Sequence, residues 1–363
     1  MKVNYKRAFQ IATIFIGTIV GAGLSSGKEL SQFFSQYGYF SFIGLIACAF
    51  FYIWMSHIIV TISSHYQLQS YDAFIQLICP NLLGKFINIV ITLFFYSSTA
   101  IVIAGSGALI NQYFGVPVFA GIIVMIGLSI IVLLRETNGL IEINSFIVPT
   151  LVIIMVVLFF TFTSRFPQTF SLSFLKYAMS PKRGWGFSAV LYAGFNIMSC
   201  VGVLVPLSTE LNNNKDIIAG VTIGAFFLTL LSCIINFLMM VTYKHALQYE
   251  IPLLFVAQQI GPFVQFALLC VIWLEMFSSK VSNIYSLSKS LQNRFPISFK
   301  KSMFIIIALS LPVTQVGFGT LVTFLYPLFG ALSIIFVWQC VLFYYVNMKR
   351  PACGPSPKQQ STR

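Results

Sequence analysis

Two stretches of this sequence hold residues that could do chemistry inside an apolar surround. The first is Phe15-Ile-Gly-Thr-Ile-Val-Gly-Ala-Gly-Leu-Ser-Ser-Gly-Lys-Glu29, where Gly17, Gly21, Gly23 and Gly27 interrupt an apolar run and a polar stretch from Ser25 to Glu29 follows. Where a helix stops and restarts, carbonyls lose partners before the gap and amide N–H groups lose them after it. Unwinding near Val20–Leu24 would offer oxygens to a cation, and amides plus a helix dipole to an anionic group such as a carboxylate. Gly21, Ala22, Gly23, Leu24 and Ser25 are therefore candidate substrate contacts. The competing use of these glycines is close helix packing, because Gly17/Gly21 and Gly23/Gly27 are each four apart.

The second stretch is Trp273-Leu-Glu-Met-Phe-Ser-Ser-Lys-Val-Ser282. Glu275, Ser278, Ser279 and Ser282 follow i, i+3, i+4, i+7 spacing and share one helix face. An ionisable group in such a span is costly unless it meets partners or water. Glu275 is either a hydrogen-bonded interface carboxyl or an ion or proton site, since hydroxyls and carbonyls suit a hard cation and a buried carboxyl can change protonation. Lys280 lies five residues beyond Glu275, about 140° round the helix. Its ammonium could instead take a cation's place. Further candidates for substrate contact are Tyr192, Gly194, Phe195, Asn196 and Ser199. Tyr96, Ser97, Ser98 and Thr99 form a weaker group, whose hydroxyls could instead bond to carbonyls of their own helix.

The elements that must position these residues are transmembrane helices. Hydrophobic residues make up 58% of the 363 and charged ones only 8%, whereas soluble domains carry about a quarter charged residues. This excludes a soluble enzyme, and the long apolar runs lack the short alternation of a membrane β-barrel. The net charge of +13 does not point to nucleic acid, because the basic residues lie at the ends of apolar segments. With about 20 residues per crossing, helices are expected over 8–34, 40–64, 86–113, 117–134, 144–164, 187–210, 216–243, 262–288, 302–317 and 320–346. The longer connections are Gln67–Lys85, Arg165–Gly186 and Lys289–Lys301.

An inside N-terminus puts fourteen Lys and Arg on the cytoplasmic side and five outside, which predicts a multi-pass cell-membrane protein with both termini cytoplasmic. A cleaved signal peptide at the N-terminus would spoil that balance. Division at the long connection gives a first five-helix repeat over 1–165, an extracellular loop over 166–186, a second repeat over 187–347 and a disordered cytoplasmic tail over 348–363. Five is odd, so the halves enter from opposite faces, as inverted repeats do. Helix 1 and helix 6, first in each half, carry the densest helix-breaking content. The expected fold is all-α, ten helices as two inverted repeats, with helices 1 and 6 broken.

Gly23-Leu-Ser-Ser-Gly27 matches the G-x-S-x-G of serine hydrolases in letters only. That motif needs a strand-turn-helix setting and a histidine, and His57, His65 and His245 are the only three. The seven cysteines mostly sit within apolar segments, so neither a disulfide framework nor a close-spaced metal site emerges. No nucleotide-binding loop is present, which argues against ATP as the energy source.

Gly17-Thr-Ile-Val-Gly-Ala-Gly-Leu-Ser-Ser-Gly-Lys-Glu29 resembles the helix-1 signature of the YkvI family of bacterial membrane proteins. That family is similar to the amino acid–polyamine–organocation (APC) transporters, whose LeuT-type fold has two inverted repeats and broken helices 1 and 6. In sodium-coupled members a cation is held by two helix-1 carbonyls, a helix-8 carbonyl and two helix-8 hydroxyls. The resemblance implies Gly17, Val20, Glu275, Ser278 and Ser279 as the corresponding Na⁺ ligands. The Glu275 side chain and Lys280 depart from that pattern and keep proton coupling open, with Glu275 as its candidate.

The expected function is secondary transport of a small organic solute, an amino acid or related amine, by alternating access coupled to Na⁺ or H⁺. No cofactor is expected apart from Na⁺, and the partners are the solute and the lipid bilayer, with no nucleic acid. A permease-like sensor that binds without transport is the alternative; Lys289–Lys301 and the basic tail would then meet its partner. An ion channel would need a continuous polar lining, which helices 2, 4 and 9 do not offer.

Overall fold

The computed structural model describes residues 3–79, 81–134, 136–170, 183–211 and 213–348. Helix 1 is in three pieces, Tyr5–Ile19, Ala22–Ser25 and Lys28–Phe33. The remaining long helices are helix 2 (Phe40–Tyr66), helix 3 (Asn81–Phe114), helix 4 (Val118–Leu133), helix 5 (Glu136–Arg165), helix 6 (Trp185–Glu210), helix 7 (Asn214–Ala246), helix 8 (Pro262–Arg294), helix 9 (Phe299–Thr314) and helix 10 (Phe318–Asn347). Helices 2, 3, 5, 6, 7, 8 and 10 are long and apolar enough to cross a membrane. Helices 4 and 9, at 16 residues each, reach only about 24 Å at 1.5 Å per residue. They are short for a hydrocarbon core of about 30 Å.

Helix starts are marked by residues that accept or dispense with free N–H groups. The Asn4 side chain accepts from the Lys6 and Arg7 amides, and Ser298 accepts from Lys301 N at the start of helix 9. Pro262, which has no N–H to leave unpaired, opens helix 8. Within the expected connection Gln67–Lys85 the structure places a short helix, Tyr71–Ile78, whose Ser70 cap accepts from Ala73 N. A second, Pro252–Gln258, lies between helices 7 and 8. Helix 8 continues to Arg294, so most of Lys289–Lys301 is helical. The expected tail, apart from Met348, and residues 171–182 of the expected inter-repeat loop lie outside the described residues.

Helix 1 packs on helices 7 and 5, helix 6 on helices 2 and 10, and helix 8 on helices 3, 5 and 9. Close approach of helix 1 to helix 7 depends on a missing side chain: a Cβ on Gly220 would fall 2.6 Å from Ile11 Cβ and 2.7 Å from the Ala8 carbonyl.

The expectation for helix 6 is corrected. It runs without interruption from Trp185 to Glu210, with Pro206 inside it. Its glycines serve packing instead. A Cβ on Gly194 would stand 2.2 Å from Ser333 Oγ of helix 10, and one on Gly202 would stand 2.6 Å from Phe95 Cζ of helix 3 and 2.9 Å from Ser286 Oγ of helix 8. Neighbouring helices press on the bare backbone, and unwinding would forfeit those contacts while exposing peptide groups to an apolar surround.

Candidate functional site

Helix 1 breaks at Val20–Gly21, where Val20 has ψ 83° and Gly21 is extended at φ −95°, ψ −166°. The amide of Gly21 turns back to the Ile19 carbonyl at 2.8 Å, so the Gly17 carbonyl loses its helical partner. Hydroxyls from two other helices converge on this gap. Ser279 Oγ of helix 8 lies 3.3 Å from the Gly17 carbonyl and 2.9 Å from the Val20 carbonyl. Ser199 Oγ of helix 6 donates to the Thr18 carbonyl at 3.3 Å. Ser25 Oγ donates to the Gly21 carbonyl at 2.8 Å from the next turn.

A serine hydroxyl has one hydrogen to donate. Ser279 therefore cannot serve Gly17 and Val20 fully at once, whereas a cation between the three oxygens could draw on all of them. Of the five expected cation ligands, the structure thus brings Gly17, Val20 and Ser279 together. Ser278 is buried one position away, and its carbonyl accepts from Ser282 Oγ at 3.1 Å.

Glu275 is completely buried, and neither carboxyl oxygen has a hydrogen-bond partner among the described residues. Lys280 is also fully buried, but its Nζ donates to the Met125 carbonyl of helix 4 at 3.3 Å. It does not stand in for a cation at the helix-1 break. Successive residues are turned about 100° on a helix, so Lys280 faces helix 4 while Ser279 faces helix 1.

The other candidates fall into two groups. Tyr192, Phe195, Asn196 and Ser199 are buried on helix 6, with Asn196 Nδ2 donating to Tyr52 Oη at 3.1 Å. Gly194, against Ser333, is a packing position. On helix 3, Thr99 bonds back to the Phe95 carbonyl at 2.8 Å, as the alternative for that helix expected. Tyr96 and Ser98 do not: the Tyr96 hydroxyl reaches the Leu309 carbonyl of helix 9, and Ser98 Oγ accepts from Asn283 Nδ2 of helix 8 at 2.8 Å.

A cavity of about 660 Å³ lies at the C-terminal ends of helices 6 and 8, lined by Gly202, Pro206, Glu210, Ser286, Lys289 and Gln292 among others. The start of helix 1 sits at the same end of the bundle, since Asn4 N donates to Asp216 Oδ1 at the start of helix 7 at 2.8 Å.

No family model matches the sequence. The membrane protein YkvI of Bacillus subtilis (strain 168) is 30% identical over 337 residues, covering 93% of this chain and 96% of YkvI. The chain belongs to the YkvI family. YyaD of the same organism is 26% identical over the same shares of the two chains. Among solved structures, the YkvI-family chain is similar to MhsT in complex with L-phenylalanine, with a TM-score of 0.70 at 14% identity over 93% of this chain and 89% of that one. Mhp1, a nucleobase-cation-symport-1 family transporter in a closed conformation with bromovinylhydantoin bound, gives 0.65 at 13% identity over 95% and 80%. A Na⁺-coupled sialic acid symporter gives 0.66 at 12% over 93% and 78%. Likeness at these identities shows the fold, which is of the LeuT type.

The family signature contains a residue whose place its spacing does not reveal. Glu29 is 2% exposed and folds back over the break: a Cβ on Gly23 would fall 2.3 Å from its Oε1. The reversal is made at Gly27, whose φ of +82° favours glycine, and the Ser26 carbonyl there accepts from Leu253 N at 2.9 Å. The hydroxyls of Tyr326 on helix 10 and Tyr192 on helix 6 face the carboxyl. Among the described residues, neither Glu29 Oε2 nor Tyr192 Oη has a partner at hydrogen-bond distance. Tyr326 gives no signal of its own in a chain with 38 Phe and 16 Tyr.

Proposed function

We propose that this YkvI-family protein is a secondary active transporter of a small organic solute, an amino acid or related amine, working by alternating access around helix 1. The observation that carries this is the broken helix 1 with the Gly17 and Val20 carbonyls converging on the single hydroxyl of Ser279. All three donors are oxygens, which suits a hard cation such as Na⁺. Gly17, Val20, Ser278, Ser279 and the Glu275 backbone would form the Na⁺ set, and the Glu275 side chain would be the candidate for H⁺ coupling. The solute would lie beside Gly21–Ser25, against Tyr192, Phe195, Asn196 and Ser199.

The cavity between helices 6 and 8 would be the cytoplasmic vestibule. Lys6 and Arg7 at the start of helix 1, Lys215 at the start of helix 7 and Lys289 at the cavity lie at that end of the bundle and support this orientation.

Thermal shift of the purified chain in Na⁺ against K⁺ buffer tests the cation site, because a ligand that binds only the folded state raises apparent stability. Na⁺ should raise the melting temperature, and Ser278→Ala with Ser279→Ala should abolish that rise. A rise that persists unchanged in the double variant would remove the proposed ligands. Reconstituted vesicles test transport itself: uptake of labelled amino acids or amines should follow a Na⁺ or H⁺ gradient, and folded protein that moves none of them under either gradient would overturn the reading.

A further inference from the structure

The surroundings of Glu29 narrow the solute class. Beyond the break, the outer piece of helix 1 and helices 3, 6 and 10 build a continuous aromatic cluster. Phe195 stacks on Tyr326 at 5.1 Å between ring centroids, Tyr192 meets Phe195 at 5.3 Å, and Phe33 meets both at 5.6 and 5.7 Å. Phe34 closes on Tyr192 edge-on at 4.9 Å. The Glu29 carboxyl stands at this cluster, between the Tyr192 and Tyr326 hydroxyls and the Gly23 backbone.

Two polar atoms here are buried and have no hydrogen-bond partner among the described residues, Glu29 Oε2 and Tyr192 Oη. A carboxylate in an apolar surround needs a counter-charge or hydrogen bonds to offset its desolvation. Aromatic faces attract cations through their quadrupoles. Carboxylate, hydroxyls and ring faces together have the chemistry that recognises an ammonium group.

The position of the carboxyl adds a second constraint. It lies against Gly23 in the short piece that follows the break, so any group brought there meets the Glu29 carboxyl. A zwitterionic amino acid would place a like charge beside Glu29 in a medium that screens it poorly.

We infer that the solute is a small organic cation without a carboxylate, a primary amine or quaternary ammonium, with Glu29 as its counter-charge and Phe195, Tyr192 and Tyr326 as its walls. This rests on the transport reading above and names the solute for that same site. The rings touch as they stand, so the guest enters when the outer piece of helix 1 and helix 10 part.

The test is a thermal-shift titration of the full chain in detergent with probes matched in skeleton and differing in charge. Phenethylamine, isoamylamine and tetramethylammonium are the cations; L-phenylalanine and L-leucine are the zwitterions; 3-phenylpropionate is the anion. At least one cation should raise the melting temperature at concentrations about tenfold below any zwitterion, and Glu29→Gln should weaken that cation by about tenfold or more. Phe195→Leu, which keeps an apolar side chain but removes the ring face, should weaken it about threefold. It serves as the independent arm if Glu29→Gln does not fold.

Zwitterions that shift the protein when cations do not would overturn the inference and leave the transport reading standing. A cation shift unchanged in both variants would also overturn it. No shift with any cation would overturn it as well, and vesicle uptake of amino acids would then decide the transport reading separately.

Discussion

Helix 1 and helix 6 are made of similar material and come out differently. Each is rich in glycine and small polar residues, yet helix 1 opens at Val20–Gly21 and helix 6 is unbroken from Trp185 to Glu210. The difference lies in what surrounds the bare backbone. At the helix-1 break, hydroxyls from Ser279 and Ser199 take up carbonyls that the helix has released. Along helix 6, Ser333 and the Phe95 ring occupy the space a side chain would fill, so the glycines let neighbours in and the helical hydrogen bonds are kept. In an apolar medium an unpaired peptide group is costly. Ser333 and Ser286 beside helix 6 donate within their own helices, to the Gly330 and Ser282 carbonyls, so a break forms where neighbouring hydroxyls turn to released carbonyls, and glycine content alone does not decide it.

The strongest way to break this comparison is Gly202→Ala in helix 6. Its Cβ would meet Phe95 Cζ at 2.6 Å and Ser286 Oγ at 2.9 Å, and a packed ring has little room to give. Destabilisation of about 1–3 kcal/mol is expected for such overpacking, seen as a lower melting temperature in detergent. A melting curve identical to that of the unaltered protein would show that helix 6 is not held by close approach.

Gly27→Ala should act next, by a different cause. Its φ of +82° costs a residue with a Cβ about 1–2 kcal/mol. The new methyl would also lie 2.7 Å from Met239 Sδ, though a methionine end can move aside. Because this turn returns Glu29 to Gly23, the variant should lose solute-induced thermal shift as well as stability. Loss of stability with a full solute shift would mean that Glu29 reaches its place without the turn.

Much of the architecture was legible because it depends on local pattern. Seven apolar stretches long enough to cross, and the break in helix 1, follow from hydropathy and from glycines beside polar residues, whereas the stretches expected over 117–134 and 302–317 are helical but short for a crossing. The two short helices, Tyr71–Ile78 and Pro252–Gln258, were not visible, being a few residues each and fixed by a Ser70 cap or an initiating proline. The continuity of helix 6 is not legible in its sequence, since Gly194 and Gly202 read the same whether neighbours fill the space beside them or leave it open. Glu29 stood in the signature, but its fold-back over Gly23 depends on a left-handed turn that spacing does not encode. Lys280 was placed on the right helix, and the partner it takes, the Met125 carbonyl, is set by helix 4, remote in sequence.

The smallest expected effect on stability makes the sharpest test. Gly21 is the residue at the break, yet its extended conformation is open to any amino acid. The nearest atom to an added Cβ is Ser279 Oγ at 3.7 Å, an ordinary contact. Gly21→Ala should therefore change stability by no more than about 0.5 kcal/mol, against the much larger loss at Gly202. The methyl would stand beside the hydroxyl proposed to share a cation with Gly17 and Val20, so the Na⁺ concentration needed for half the thermal shift should rise several-fold while the melting temperature without Na⁺ stays put. If Gly21→Ala melts as early as Gly202→Ala, the glycine at the break is there for packing, and the contrast between the two helices disappears.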